Sequence, residues 1–214
     1  MNAEARTTLG ELLRKGVVWR GTADGRTQTA VVSSGFSSLD EQMGGGWPRG
    51  ALTEIFSQQG LGFSLLLPLL AELSRQQQWL TWVNPPHVPY APALAARQVD
   101  TARVLLVKVR EAEQSLWAAE QALRSGNCSL VLLWVDRVSA VRIRRLQLAA
   151  EESNCMGILF RPLQQRRQAS MAALRLQILP AANGLEVRVL KRRGGWGGKP
   201  LMIQRMDFLR GSGD

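Results

Sequence analysis

The chain has 214 residues and a mass of 23.6 kDa, which suits one sizeable domain with a hydrophobic core. Its hydrophobic content of 45% and mean hydropathy of −0.09 fit a soluble globular protein, and no apolar run is long enough to span a bilayer. The first residues lack the apolar core of a signal peptide, so we expect a cytoplasmic protein without a membrane contact. The formal net charge of +10 favours an anionic partner, either nucleic acid or an acidic protein, with a merely solubilising surface as the alternative.

The cysteine and histidine content argues against metal, disulfide and triad chemistry. Cys128 and Cys155 each flank an apolar run, which predicts two buried, reduced thiols. His87 is the single histidine, and no carboxylate lies within ten residues of it on either side. We therefore do not expect a histidine-based catalytic site or zinc site.

The N-terminal 21 residues predict a short helix that lies outside the main domain. Leu9, Leu12, Leu13 and Val17 form an apolar patch on it. The polar segment 22–30 has no periodicity and is interpreted as a linker. A helix of about three turns is unstable alone in water, so we expect it to bind another surface, in a partner or in a second copy of the chain, with packing onto its own domain as the alternative.

The main domain, residues 31–214, alternates strand and helix patterns before ending in strands. The patterns predict strands at 51–56, 79–83, 103–109, 129–135, 156–160, 174–179, 185–191 and 201–204, and helices at 64–77, 112–124 and 141–153. The unbroken apolar run Ser129–Val135 is typical of a central parallel strand buried on both faces. This order predicts an α/β protein with a mostly parallel sheet flanked by helices and with antiparallel C-terminal strands.

One loop has the setting of a phosphate-binding site but lacks its chemistry. The first predicted strand leads into a loop with Gly60 and Gly62, and then into a helix, which is the context of a P-loop. Phe63 stands where the phosphate-binding lysine is expected and Ser57 where the first glycine is expected, whereas Gly62 and Ser64 fit the pattern. Because Phe63 brings no charge, we interpret the loop as a turn that packs, and we predict no cofactor.

These pieces resemble the core of the RecA recombinases, through the segments 31–40, 44–56, 57–64 and 129–136. The resemblance implies a RecA-like fold and places Asp136 where such ATPases hold a magnesium-ordering carboxylate. The position of the carboxylate that activates water is taken by Pro85-Pro86, so the chain is not expected to be an enzyme. The resemblance also places Lys191 and Arg193 where recombinases reach the nucleotide of a neighbouring subunit, which makes both candidate protein-binding residues.

Two degenerate families with this fold remain. Residues 64–162 resemble the SulA cell-division inhibitors, through Leu65–Leu70, Ala122–Asn127 and Gly157–Pro162. The complete chain resembles the ImuA family more, through Val18–Gly21, Gly45–Glu54 and Val189–Gly194. The ImuA resemblance implies a role in the SOS response to DNA damage.

We predict an ImuA-type, non-catalytic accessory protein of mutagenic translesion DNA synthesis, a pseudo-ATPase in bacterial DNA repair. That resemblance implies an inactive, ImuB-like homologue of Y-family polymerases as the partner, and indirectly an error-prone replicative-type polymerase. RecA itself and self-association are open as further contacts, and so is direct contact with DNA. The alternative is a SulA-like inhibitor that binds the tubulin-like division protein.

Overall fold

The computed structural model describes residues 30–58 and 60–208 of the chain (for Trp196, the backbone only). Its strands are β1 Val31–Val32, β2 Trp47–Pro48, β3 Leu52–Ser57, β4 Trp79–Val83, β5 Val104–Val107, β6 Cys128–Trp134, β7 Met156–Pro162, β8 Leu174–Ala181, β9 Gly184–Arg192, β10 Gly195–Trp196 and β11 Leu201–Gln204. The α-helices are α1 Ser37–Met43, α2 Leu67–Ser74, α3 Ala91–Ala95, α4 Ala112–Arg124 and α5 Ala140–Ser153, with short 3-10 turns at Phe63–Leu66, Thr101–Arg103 and Leu163–Arg167.

A nine-stranded sheet organises the described residues. Its order is β10-β9-β8-β3-β7-β6-β4-β5, and β11 also pairs with β9. The pairs from β8 to β5 are parallel, whereas β9 pairs antiparallel with β8, β10 and β11. The predicted α/β architecture is therefore confirmed, and its finer likeness to recombinases stays a prediction.

Helices cover the parallel part of the sheet on both faces, and its central strands are mostly apolar. Residues 128–133 of β6 are buried without interruption. One core cluster includes Leu39, Leu70 and Trp82 under α1, α2 and α3, and the other includes Leu116, Leu146 and Leu159 under α4 and α5. Burial on both faces explains why β6 has no polar–apolar alternation.

Several bounds differ from the prediction. The predicted helix 64–77 is a 3-10 turn followed by α2, because Pro68 occupies the first turn of α2, where its missing N–H is tolerated. The loop 84–90 is followed by the short helix α3, which the sequence did not predict. β7 runs to Pro162, two residues beyond the predicted strand 156–160, so Arg161 lies in a strand and is buried.

Two further expectations concern thiols and membranes. Cys128 and Cys155 are buried free cysteines, as predicted, and burial raises the pKa of the Cys155 thiol well above its usual value. Within the described ranges, no helix combines the length and apolar character needed to cross a membrane. The predicted docking helix, with Leu9, Leu12, Leu13 and Val17, lies outside the described residues, and so does the linker except for Ala30, so both stay predictions.

Candidate interaction surface

Backbone N–H groups of the loop after β3 form hydrogen bonds within the loop itself. The N–H groups of Leu61, Phe63 and Leu65 donate to carbonyl oxygens at Gln58, Gly60 and Gly62, at 2.8, 3.3 and 3.0 Å. A phosphate loop instead directs consecutive N–H groups outward to the ligand. This hydrogen bonding favours the interpretation that the loop is a packing turn.

The side chain of Phe63 joins an aromatic cluster at the end of the sheet. Its ring meets Trp82 edge-on, with centroids 5.2 Å apart, and lies 6.4 Å from Trp134. Trp134 in turn stacks on Phe160, with centroids 4.9 Å apart. Such pairs stabilise a fold by about 0.5–1.5 kcal/mol beyond their burial. The residue at the lysine position therefore contributes packing and brings no charge.

Gly62 packs closely against Ile178 of β8. Its φ is +97°, and an added Cβ would lie 2.4 Å from Cδ1 of Ile178. Gly60 has φ +77°, and an added Cβ would lie 3.1 Å from Nε1 of Trp134. The two loop glycines are thus required by close packing, which accounts for their presence without any ligand.

We expect Gly62→Ala to lower the free energy of unfolding by at least about 2 kcal/mol, because backbone strain and the contact with Ile178 add together. Gly126→Ala is the matched control, since Gly126 has φ +70° but an added Cβ would meet nothing within 4 Å. Denaturant unfolding should show a smaller loss for the control, and Ile178→Val should restore part of the loss in Gly62→Ala only. Equal losses at the two glycines would contradict this explanation.

The other residues that the sequence matched to a nucleotide site line two different clefts. Ser57, Gly60 and Asp136 line a cleft of about 950 Å³ at the carboxyl ends of the parallel strands. Ser64 lines a different cleft, of about 740 Å³, beside α2. Within the described residues, no group of three or more His, Cys, Asp or Glu side chains could hold a metal ion. The serine predicted to match the P-loop pattern and Asp136 therefore do not line the same cleft.

Lys191 and Arg193 interact with their own chain. Nζ of Lys191 donates to the carbonyl oxygen of Ser170 at 2.9 Å, and Arg193 pairs with Glu151 at 2.8 Å. Partial burial lowers the pKa of Lys191, and the neighbouring Arg175 lowers it further. A role for the pair in binding another protein stays a prediction.

A buried ionic cluster, which sequence reasoning missed, lies in the centre of the sheet. The Glu54 side chain is fully buried and accepts from Arg161 at 2.5 Å and from Arg175 at 2.8 Å. Arg161 also donates to Gln168 at 2.7 Å, and the Arg175 guanidinium lies 4.8 Å from the Phe56 ring centroid. The available signal was a carboxylate inside an otherwise apolar strand, which requires buried cations nearby. The cluster ties β3, β7 and β8 together and thus has a structural role.

The opposite edge of the sheet is apolar and exposed. β5 is the terminal strand, and its Val-Leu-Leu-Val sequence has no charge or proline to discourage pairing with another chain. Leu105 and Leu106 are 46% and 44% exposed, and consecutive strand residues point to opposite faces. Val88 and Tyr90, in the loop that follows the adjacent β4, are each 73% exposed. We call these four residues the apolar edge.

A second exposed apolar group lies on the outer surface of α4 and α5. Trp117 and Leu148 are 59% and 48% exposed, but ion pairs surround them. These pairs are Arg142–Glu113, Arg145–Glu120, Arg124–Glu120 and Arg124–Glu152. A ring of paired charges is typical of a solvated helix face, so the apolar edge is the stronger candidate for an interface.

An α/β domain with an exposed apolar strand at the edge of its sheet is suited to bind another protein through that edge. The family model "Cell division inhibitor SulA" matches residues 50–157. The chain therefore belongs to the SulA family. The matched segment contains β3 to β6, and with them the whole apolar edge.

Two curated relatives agree with this assignment. The chain is 37% identical over 114 residues to the cell division inhibitor SulA of Edwardsiella piscicida, covering 53% of this chain and 68% of the relative. It is 34% identical over 125 residues to SulA of Cronobacter sakazakii, covering 54% and 71%. The crystal structure of SulA from Pseudomonas aeruginosa aligns with 52% of this chain and 97% of its own, with 27% identity and a TM-score of 0.45.

The predicted ImuA-type function is wrong, and so are its implied partners, the ImuB-like polymerase homologue, the error-prone polymerase and RecA. The family match identifies a SulA protein, which was the stated alternative. Two motifs that favoured ImuA have structural causes. An added Cβ on Gly46 would lie 2.3 Å from the carbonyl oxygen of Val32, and Val189–Gly194 forms the end of β9 and its turn. Both motifs are therefore explained by the local backbone shape, without reference to a partner.

Proposed function

We propose that this protein inhibits bacterial cell division, in the SOS response to DNA damage, by binding the tubulin-like division protein through the apolar edge. The observation that carries the proposal is the match to the SulA family across residues 50–157. The activity shared with relatives should reside in the segment shared with them. That segment contains Val88, Tyr90, Leu105 and Leu106.

The physical properties of the apolar edge support its use as an interface. Protein–protein contacts depend on a few apolar and aromatic side chains that become fully buried, surrounded by polar residues. Leu105, Leu106 and Tyr90 can supply these, while Asp100, Arg103, Lys108 and Arg110 flank β5 with polar and charged groups. Among the described strands β5 pairs on one side only, so its other side can also add a strand from the partner.

Binding alone would account for the inhibition. A chain that covers an assembly surface of the division protein removes subunits from the polymer in proportion to its amount. In this proposal the protein acts stoichiometrically, without substrate turnover.

We expect the purified chain to reduce polymerisation of the division protein in the presence of GTP, with full effect near equimolar amounts. Light scattering and sedimentation measure the polymer, and the GTPase rate gives a second readout. Expression in cells should produce filaments that fail to divide. Normal polymer at a threefold molar excess of folded chain, together with normal division, would refute the proposal.

A further inference from the structure

The positive charge of the described chain is concentrated outside the SulA-matched segment. Residues 50–157 contain ten Lys and Arg against nine Asp and Glu, whereas residues 158–208 contain ten against two. The fold therefore joins a nearly neutral family segment to a strongly basic one. The function proposed above uses the first segment and leaves the second unexplained.

The strand register brings part of this charge to one side of the sheet. Arg175 on β8 is opposite Lys191 on β9, and Gln177 is opposite Arg188. Directly paired residues, and residues two apart on a strand, point to the same side, and a β-bulge between the two pairs accounts for the three-residue spacing of Arg188 and Lys191 on β9. The alternate residues Leu176 and Val187 point into the core. The four polar side chains thus share the other face of the β8–β9 ribbon.

The 3-10 turn Leu163–Arg167 adds two more cations on that side. Nη2 of Arg175 donates to the carbonyl oxygen of Arg166 at 3.1 Å, which holds the turn beside the ribbon. Arg166, Arg167 and Arg188 are exposed. We call Arg166, Arg167, Arg175, Gln177, Arg188 and Lys191 the basic face.

Internal carboxylates offset only part of this charge. Glu54 pairs with both Arg161 and Arg175, so one negative charge faces two guanidinium groups. Among the ion pairs that the described residues form, none includes Arg166, Arg167 or Arg188. These three arginines retain uncompensated charge at the surface.

We propose that the basic face binds the phosphate backbone of nucleic acid. Exposed guanidinium groups bind phosphate oxygens with paired, charge-assisted hydrogen bonds. Gln177 between the cations can donate to phosphate or sugar oxygens in the same way. The buried centre of a protein–protein interface is typically apolar, whereas the middle of this face is polar, which favours nucleic acid. The surface has no part in the proposed contact with the division protein, which lies at the opposite edge of the sheet.

The test is fluorescence anisotropy of the full chain with a labelled 20-base-pair DNA duplex, repeated with the single strand, between 50 and 200 mM salt. Each lost phosphate contact should reduce the slope of log K against log salt by about 0.9 for the duplex and about 0.7 for the single strand. Arg188→Gln should therefore weaken binding about five- to tenfold near 0.1 M salt. The triple variant Arg166→Gln, Arg167→Gln, Arg188→Gln should abolish measurable binding at 200 mM salt.

Arg144→Gln is the matched control, because Arg144 is an exposed arginine on α5 within the nearly neutral segment. Its variant should bind DNA like the original chain, and circular dichroism should confirm that all variants fold. Absence of DNA binding at 50 mM salt, or equal losses in Arg144→Gln and Arg188→Gln, would overturn the proposal. Displacement of the DNA by polyglutamate at equal charge concentration would also overturn it and indicate an acidic protein partner.

Discussion

Replacing Glu54 with alanine is expected to lower the free energy of unfolding by about 3–5 kcal/mol, which is the typical cost of removing one partner from a buried ion pair. The substitution would leave the guanidinium of Arg161, whose side chain is fully buried, facing that of Arg175 without a carboxylate between them. Since β3, β7 and β8 are joined by this cluster, the loss should affect global stability. Urea unfolding followed by circular dichroism measures it.

Glu113→Ala is the matched control. Glu113 also pairs with an arginine, Arg142, but its side chain is 68% exposed. Exposed pairs contribute about 0–1 kcal/mol, so the control should change stability little. A loss below about 1 kcal/mol for Glu54→Ala, or similar losses for both variants, would show that the buried cluster is not needed for stability.

Replacing Leu106 with aspartate is expected to weaken binding to the division protein at least about tenfold and to abolish division arrest in cells. Burial of a leucine stabilises a complex by about 1.5–3 kcal/mol, and a carboxylate at the same position would also have to be desolvated. Because Leu106 is 44% exposed in the free chain, the substitution should leave the fold largely intact. Titration calorimetry and cell length under induced expression provide the two measurements.

Leu148→Asp separates the two exposed apolar surfaces. Leu148 is 48% exposed on α5, so it matches Leu106 in chemistry and exposure but lies among ion pairs on the helix layer. The control variant should bind and arrest division like the original chain. If Leu148→Asp loses activity while Leu106→Asp keeps it, the helix face is the interface and the assignment to the apolar edge is wrong.

Local patterns predicted most of the fold. The bounds of β4, β11 and α4 agree with the prediction to the residue, and the apolar run at 129–135 correctly indicated a buried parallel strand. Strand and helix periods depend on which faces are buried, and that information is written in consecutive residues. The RecA-type and SulA-type motifs also indicated the α/β class, because they mark turns and close packing.

The function was harder to predict, because related families share these motifs. Gly45–Glu54 and Val189–Gly194 favoured ImuA, yet the glycines in these segments are required by local backbone geometry. The segment that carries the family identity, residues 50–157, became decisive only through comparison with relatives. A motif required by packing cannot distinguish two families with the same packing.

The sequence by itself determined the order of the elements, the apolar core and the presence of Phe63 where a P-loop has its lysine. Only the tertiary structure decided that Glu54, Arg161 and Arg175 form one cluster, since 121 positions separate its ends. It also decided that Val104–Val107, as apolar as any inner strand, lies at the edge of the sheet with Leu105 and Leu106 exposed. Strand order depends on long-range pairing, which residue patterns within a strand do not encode.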